Sequence, residues 1–212
     1  MTVLDPELMG RHVRLEPLQP RHARGLVAAA AADPELYGLT RVPFSEEAAR
    51  QYVAAAEAAR EAGTAAPFAV IRLADETVIG STRLFDLERW AWPEGHPRRG
   101  HDGPDTCEIG HTWLAVSAIR TGANTEMKRL MLTLAFDSWD VQSVCFHTDA
   151  RNERSRRALA RIGAHYEGTL RSHRLAADAR PRDSARFAIT AADWPAVRAH
   201  LAELCRDSLL AS

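Results

Sequence analysis

The stretch from residue 107 to about residue 175 limits the fold more than any other, because strand-type and helix-type patterns alternate along it. "CEIGHTWLAV" reads as a strand. Residues 125–139 follow as a helix, with Met127, Leu130, Met131, Leu134 and Ser138 on one face and Phe136 and Trp139 on another. "SVCFHTD" is a second strand, residues 152–162 are a shorter helix stopped by Gly163, and "HYEGTLRSHRL" is a third strand. A strand that reaches its neighbour through a helix must cross over, so part of this sheet is parallel and helices cover its two faces.

Ahead of this stretch, "HVRLEPL" alternates Val13, Leu15 and the Pro17/Leu18 end with charged residues, the period of a half-buried strand. Residues 21–32 and 45–62 are rich in helix-forming Ala, Glu and Arg; Ser45 caps the second, Glu46 and Glu47 fill its first turn and Gly63 stops it. "FAVIRL" and "VIGSTRLFDL" make residues 68–87 a hairpin, with Gly80 as a bulge. Residues 88–106 lose all periodicity and form a long loop, expected to be mostly mobile with Trp90 and Trp92 packed; it also carries His96, Arg98, Arg99 and His101. "DSARFAIT" closes a last hairpin, and a helix over about 192–209 carries Trp194, Val197, Leu201 and Leu204 at helical spacing. That helix either caps the sheet or pairs two copies into a homodimer, and both arrangements stay open. The 212 residues are expected to form one domain of the α/β (α+β) class: a mixed, twisted sheet of about six to seven strands with helices on both faces.

Charge and cysteine usage exclude several functions. Lys plus Arg (27) nearly balance Asp plus Glu (28), a formal net charge of −1, which gives no support for nonspecific nucleic-acid or membrane-surface binding. Cys107, Cys145 and Cys205 are widely spaced, with neither a disulfide framework nor metal-ligand spacing, so no metal is expected and a reducing cytoplasm is the expected location. The first residues lack the apolar core of a signal peptide, and no run approaches the roughly 18 uncharged residues of a membrane helix.

Two segments carry candidate chemistry. "RTGANTE", residues 120–126, puts a glycine and short polar residues ahead of a helix, whose first N–H groups and positive dipole end suit a phosphate. The same residues serve equally as a plain turn with Asn124 or Thr125 as cap. Further on, Asn152 stands at an N-cap position with Ser155, Ala158, Leu159 and Ile162 on the inward face, while Arg154, Arg157 and Arg161 form the opposite stripe, read as a solvated face.

Together "EIGHTWL", "RTGANTEMK", "TDARNERSRRALARIGA", "EGTLR" and "RDSARFAIT", in this order, resemble the GNAT superfamily of N-acetyltransferases, in the branch similar to the ribosomal-protein alanine N-acetyltransferases (RimJ/RimL-like). The resemblance implies a splayed central strand pair with acetyl-CoA as co-substrate in the cleft between them. The pantetheine arm would bond main chain at Leu114, Ala115 and Val116, and the pyrophosphate would rest on Arg120, Thr121, Gly122, Ala123, Asn124 and Thr125. Asn152 would contact the pantetheine. The chain departs from the family's loop pattern at Ile119 and Asn124, where only Gly122 matches.

Acetyl transfer to an amine needs a base for the ammonium proton, since alkylamines have a pKa near ~10.4, and an acid for the departing thiolate. The resemblance puts a carboxylate base at Glu108, with His111 as the other candidate. In a regular strand these two point to opposite faces, so both reach one cleft only if a bulge near Gly110 intervenes. The tyrosine acid of many members is Leu159 here, Ser155 matches the acid proposed for the branch, and a branch carboxylate is replaced by Arg174. The expected function is transfer of acetyl from acetyl-CoA to a primary amine, on a protein N-terminus or a small molecule, by direct attack in a ternary complex. The alternatives are another acyl-CoA such as succinyl-CoA, favoured by a basic, roomy acyl pocket, or a non-catalytic CoA-binding module.

Overall fold

The computed structural model describes residues 6–207; residues 208 and 209, the expected end of the last helix, lie outside them. In chain order the elements are β1 (Leu8–Met9), β2 (Val13–Pro17), α1 (Ala23–Ala31), α2 (Glu46–Glu61), β3 (Ala65–Arg72), β4 (Thr77–Glu88), β5 (Thr106–Leu114), α3 (Ala123–Thr133), β6 (Ser143–Asp149), α4 (Glu153–Arg161), β7 (His165–Leu175), β8 (Pro181–Thr190) and α5 (Trp194–Asp207). The strands form one eight-stranded sheet in the order β1-β2-β3-β4-β5-β6-β8-β7. This is the mixed α/β sheet expected, with one strand more, because two-residue β1 is too short to show a period.

Among the described residues only β5 and β6 pair in parallel. The connection through α4 carries the chain past β6 to β7 at the sheet's edge, and β8 returns into the gap between them, antiparallel to both. Sequence alternation recognises a crossover but cannot show that a later hairpin strand will occupy the space next to β6.

The parallel pair is brief. β5 and β6 are in register only at Thr106–Ser143, Cys107–Val144 and Glu108–Cys145, after which they part and leave a cleft. A bulge in β5 drives the separation: Gly110 pairs with Arg83 and Trp113 with Ser81, so His111 and Thr112 together face the single residue Thr82. His111 takes a positive φ of 49°, rare for a residue with a side chain and typical of such irregular positions.

α3 forms one floor of the cleft. It begins two residues earlier than its polar residues suggested, because Gly122 at its N-cap takes φ 83° and turns the chain directly into Ala123. The helix continues into a π turn at Leu134–Ser138. Glu126, buried in the first turn of α3, accepts the backbone N–H groups of Arg11, His12 and Val13 at 2.7, 2.9 and 3.0 Å, tying the helix to the start of β2. α5 packs on the same helix: Trp194, Val197 and Leu201 are buried within the chain, Trp194 stacks on Phe136 and its Nε1–H donates to Asp137 at 2.7 Å. The apolar stripe of α5 thus packs on α3 and the turn that follows it.

The loop between β4 and β5 is ordered around one carboxylate. Asp105 accepts Trp90 N–H at 2.7 Å, Trp92 Nε1–H at 2.8 Å and Arg98 Nε–H at 3.2 Å, while Arg98 also binds Asp140 at 2.6 Å and Trp92 stacks on His96. His96 and Arg98, as well as the tryptophans, therefore hold the loop. No helix among the described residues is long and apolar enough to cross a membrane.

Candidate active site

The gap between β5 and β6 opens into a cleft of about 1000 Å³, large enough for a ligand of cofactor size. Of the residues singled out in the sequence, Glu108, His111, Leu114, Val116, Arg120, Gly122, Asn124, Thr125, Asn152 and Ser155 all line it. Ala115, Thr121 and Ala123 do not, because their groups are used locally. Ala115 is buried with its N–H on Ile79 O at 2.7 Å, the Thr121 hydroxyl folds back on Ala118 O at 2.8 Å, and Ala123 packs in the core. None of the cleft's lining comes from residues 88–106.

At one end the N-terminus of α3 faces the cleft; its N-cap residue Gly122 has no side chain to cap it, and only a long 3.4 Å bond from Ala123 N–H to Thr121 Oγ1 meets its first N–H. Arg161 of α4 donates to Thr125 Oγ1 at 2.6 Å at this point, so the arginine stripe is divided: Arg161 and Arg154 line the cleft, while Arg157 points outward to Glu153 at 3.0 Å. An uncapped helix start with guanidinium groups beside it fits an anionic group such as a pyrophosphate. Asn152 caps α4, its Oδ1 accepting Ser155 N–H at 3.0 Å, and this bond fixes the first turn so that Ser155 also faces the cleft.

Along the middle, Tyr37 O–H donates to Leu114 O at 3.0 Å and props the end of β5. Lys128 of α3 reaches in from the floor; its Nζ donates to Thr112 Oγ1 at 2.9 Å and sits 5.6 Å over the Phe146 ring. Burial lowers its pKa to about 7, with Glu108 pulling the other way.

At the other end sits a pair that sequence reading identified by half. Glu108 is 2 % exposed, and its Oε2 lies 2.8 Å from His147 Nδ1 and 2.7 Å from Arg174 Nη2. Arg174 arrives from β7, whose register shift between Leu170 and Arg174 carries the hairpin tip back over the cleft. Burial by itself would raise the Glu108 carboxyl, but the His147 hydrogen bond and the Arg174 guanidinium outweigh it and hold the pKa below the ordinary value. Glu108 is therefore an ionised acceptor, and His147 Nδ1 must carry the hydrogen. His147 Nε2 is left buried without a hydrogen-bond partner among the described residues. His111 shares this end, as the bulge requires, stacked edge-on to Phe85. Burial, then the charges of Arg83, Arg174 and Arg182, push its pKa down to about 4, so it is neutral at working pH.

Glu108, Cys145 and His147 place ligating atoms within 4.8 Å of one another. Arg174 already neutralises Glu108, and burial keeps the Cys145 thiol protonated, its pKa pushed up to about 12. The trio is better suited to proton traffic than to a cation. His147 had a signal in the sequence, as the imidazole among the polar positions Ser143, Cys145, His147 and Asp149 that alternate with Val144, Phe146 and Thr148 in "SVCFHTD"; Lys128 had one too, a cation beside Met127 on the apolar face of α3.

The family model for the GNAT acetyltransferase domain matches residues 12–165. The chain belongs to the GNAT acetyltransferase family. A Thermus thermophilus protein assigned as an acetyltransferase is 32 % identical, with 96 % of this chain and 98 % of that one covered at a TM-score of 0.77. A GCN5-related N-acetyltransferase from Brucella melitensis is 26 % identical over 96 % of this chain and 87 % of that one, with a TM-score of 0.78. Mycobacterium smegmatis RimJ, solved with CoA-disulfide, shares the fold at 21 % identity and a TM-score of 0.76 over 94 % of this chain and 93 % of that one. No match is found among curated proteins. As a GNAT member the chain is an acyltransferase.

Proposed function

We propose that the chain is a cytoplasmic, single-domain N-acetyltransferase that joins an acetyl group from acetyl-CoA to a primary amine, on a protein N-terminus or a small molecule, in a ternary complex. One observation carries the reading: the cleft that holds an uncapped helix start at one end holds, at the other, an imidazole whose free Nε2 is oriented by a carboxylate.

The first turn of α3 from Gly122 and the side chains of Arg120 and Arg161 would hold the pyrophosphate, and the main chain around Leu114 and Val116, with Asn152 opposite, would hold the pantetheine arm. Bound acetyl-CoA supplies a thioester carbonyl open to attack by an amine. His147 Nε2 takes the proton of the incoming ammonium; with Nδ1–H fixed on Glu108, Nε2 is the nitrogen left to accept it. Glu108 is thereby a positioning residue, replacing the direct base expected from its place on the strand. Its charge also stabilises the imidazolium that forms, as a buried carboxylate beside a catalytic histidine does. Ser155, held at the head of α4 by Asn152, passes its hydroxyl proton to the departing sulfur and takes in exchange the second proton that the nitrogen sheds as the tetrahedral intermediate collapses to the amide.

The test is calorimetric titration with CoA followed by free-thiol release from acetyl-CoA over a panel of amines. Micromolar-range binding and amine-dependent thiol release are expected. Binding without release would leave a CoA-binding module, and absence of binding would remove both readings.

A further inference from the structure

The reaction end of the cleft carries a cation that the chain does not neutralise. Arg174 and Arg182 are in register on β7 and β8, and both line the cleft. Arg174 is matched by Glu108 at 2.7 Å and Asp86 at 3.2 Å. Arg182 differs: its Nε–H donates to Ser184 Oγ at 3.1 Å, and among the described residues no carboxylate stands within ion-pair distance and no acceptor meets its Nη atoms. Asp149, whose charge it feels, is engaged by Arg151 at 2.7 Å.

Its other neighbours add no negative charge. His111 is neutral, and burial, with the charge of Arg174, lowers the pKa of His173. A guanidinium cannot shed its proton at any working pH, so leaving one half-buried without an anion is costly. Burial first, and then Arg174, disfavour the charge of Arg182 and lower its pKa. The phosphates of CoA are not the missing partner. Arg182 is coupled electrostatically to Glu108 and His111, the reacting end, while the phosphate seat is built by Gly122, Thr125 and Arg161 on α3 and α4.

We propose that Arg182, flanked by Arg174, is a subsite for a carboxylate that enters with the substrates, carried either at the far end of the acyl chain or on the amine acceptor. The two free Nη groups match the two oxygens of a carboxylate in the planar, bidentate manner that lysine cannot reproduce. The inference deepens the transferase reading in its turnover but not in its binding.

The experiment has two arms. In the donor arm, acetyl-CoA is compared with succinyl-CoA at a fixed neutral amine; in the acceptor arm, alanine is compared with alaninamide at fixed acetyl-CoA. Each arm is read both by calorimetric affinity, with CoA present for the acceptors, and by thiol release. The carboxylate-bearing partner should be preferred by about tenfold or more in one arm, as a charge-assisted hydrogen-bond pair implies. The wild-type preference needs no variant. Arg182→Met should reduce the preference ratio about tenfold, and Arg182→Lys should keep part of it. Equal use of both partners in both arms, or a preference that survives Arg182→Met, overturns the subsite. A binding preference that depends on Arg182, seen without any thiol release, would keep the subsite and refute the transferase reading; thiol release without preference would do the reverse.

Discussion

His147 Nδ1 lies 2.8 Å from Glu108 Oε2, joining the last registered residue of β5 to the residue of β6 two positions beyond its partner Cys145. The bond sits just beyond the point where the two strands part, so their parallel contact also positions the proposed proton acceptor. Glu108 without His147 and Arg174 would be a buried, unmatched charge, and His147 without Glu108 would have no fixed tautomer. The site's behaviour follows from this mutual dependence.

The Ser155 hydroxyl is expected to serve the leaving sulfur and not the binding of CoA. Ser155→Ala should reduce kcat by about ten- to a hundredfold, in the range of acid catalysis, with a CoA affinity within about twofold of the wild type. Kinetics and calorimetry on the same preparation decide it. A parallel loss of affinity would make Ser155 a cofactor ligand.

Gly122 at φ 83° starts α3 and presents its first N–H groups to the cleft. Gly122→Val forces a β-branched residue into the left-handed region and should cost about 1–3 kcal/mol of stability, measured by denaturant unfolding. It should also weaken CoA binding about tenfold or more. An unchanged affinity in a destabilised protein would mean that the helix start is only a turn.

Lys128 gives a pH-dependent prediction. Its pKa is lowered to about 7 in the folded chain from 10.5, so between those values the unfolded chain binds the proton that the native one releases. The native state is penalised fully below pH 7, and the penalty fades as the pH rises toward 10.5. Lys128→Met should therefore raise stability by roughly 1–4 kcal/mol at pH 6, and the gain should shrink by pH 9.5. Unfolding at the two values checks it; a gain that does not vary with pH would show that packing, and not charge, is responsible.

Much of this was legible in the sequence, for reasons that differ by element. Hydrophobic period gave the strands and helices, since Val13 and Leu15 or Met127 and Met131 face a core in any fold that buries them. The condition for Glu108 and His111 to share a cleft, a bulge beyond Gly110, was readable from strand geometry. That it occurs depends on the pairing of β5 with β4, a contact between residues distant in the chain. What Glu108 touches was hidden for the same reason. No local pattern shows that Arg174, 66 residues later, returns through a register shift to neutralise it. β1 was too short to detect, and the order around Asp105 depends on Arg98 and Asp140 meeting across two segments.

The central claim, that His147 takes the proton of the amine, is tested most directly by the pH dependence of acetyl transfer in His147→Gln. A base is needed only while the amine is protonated. The variant should be slower than the wild type by about a hundredfold or more at pH 7, and the gap should close as the pH approaches the amine's own pKa near ~10.4. CoA affinity should be unchanged throughout. A His147→Gln enzyme that matches the wild type at pH 7, or that is slower by the same factor at every pH, would contradict the account.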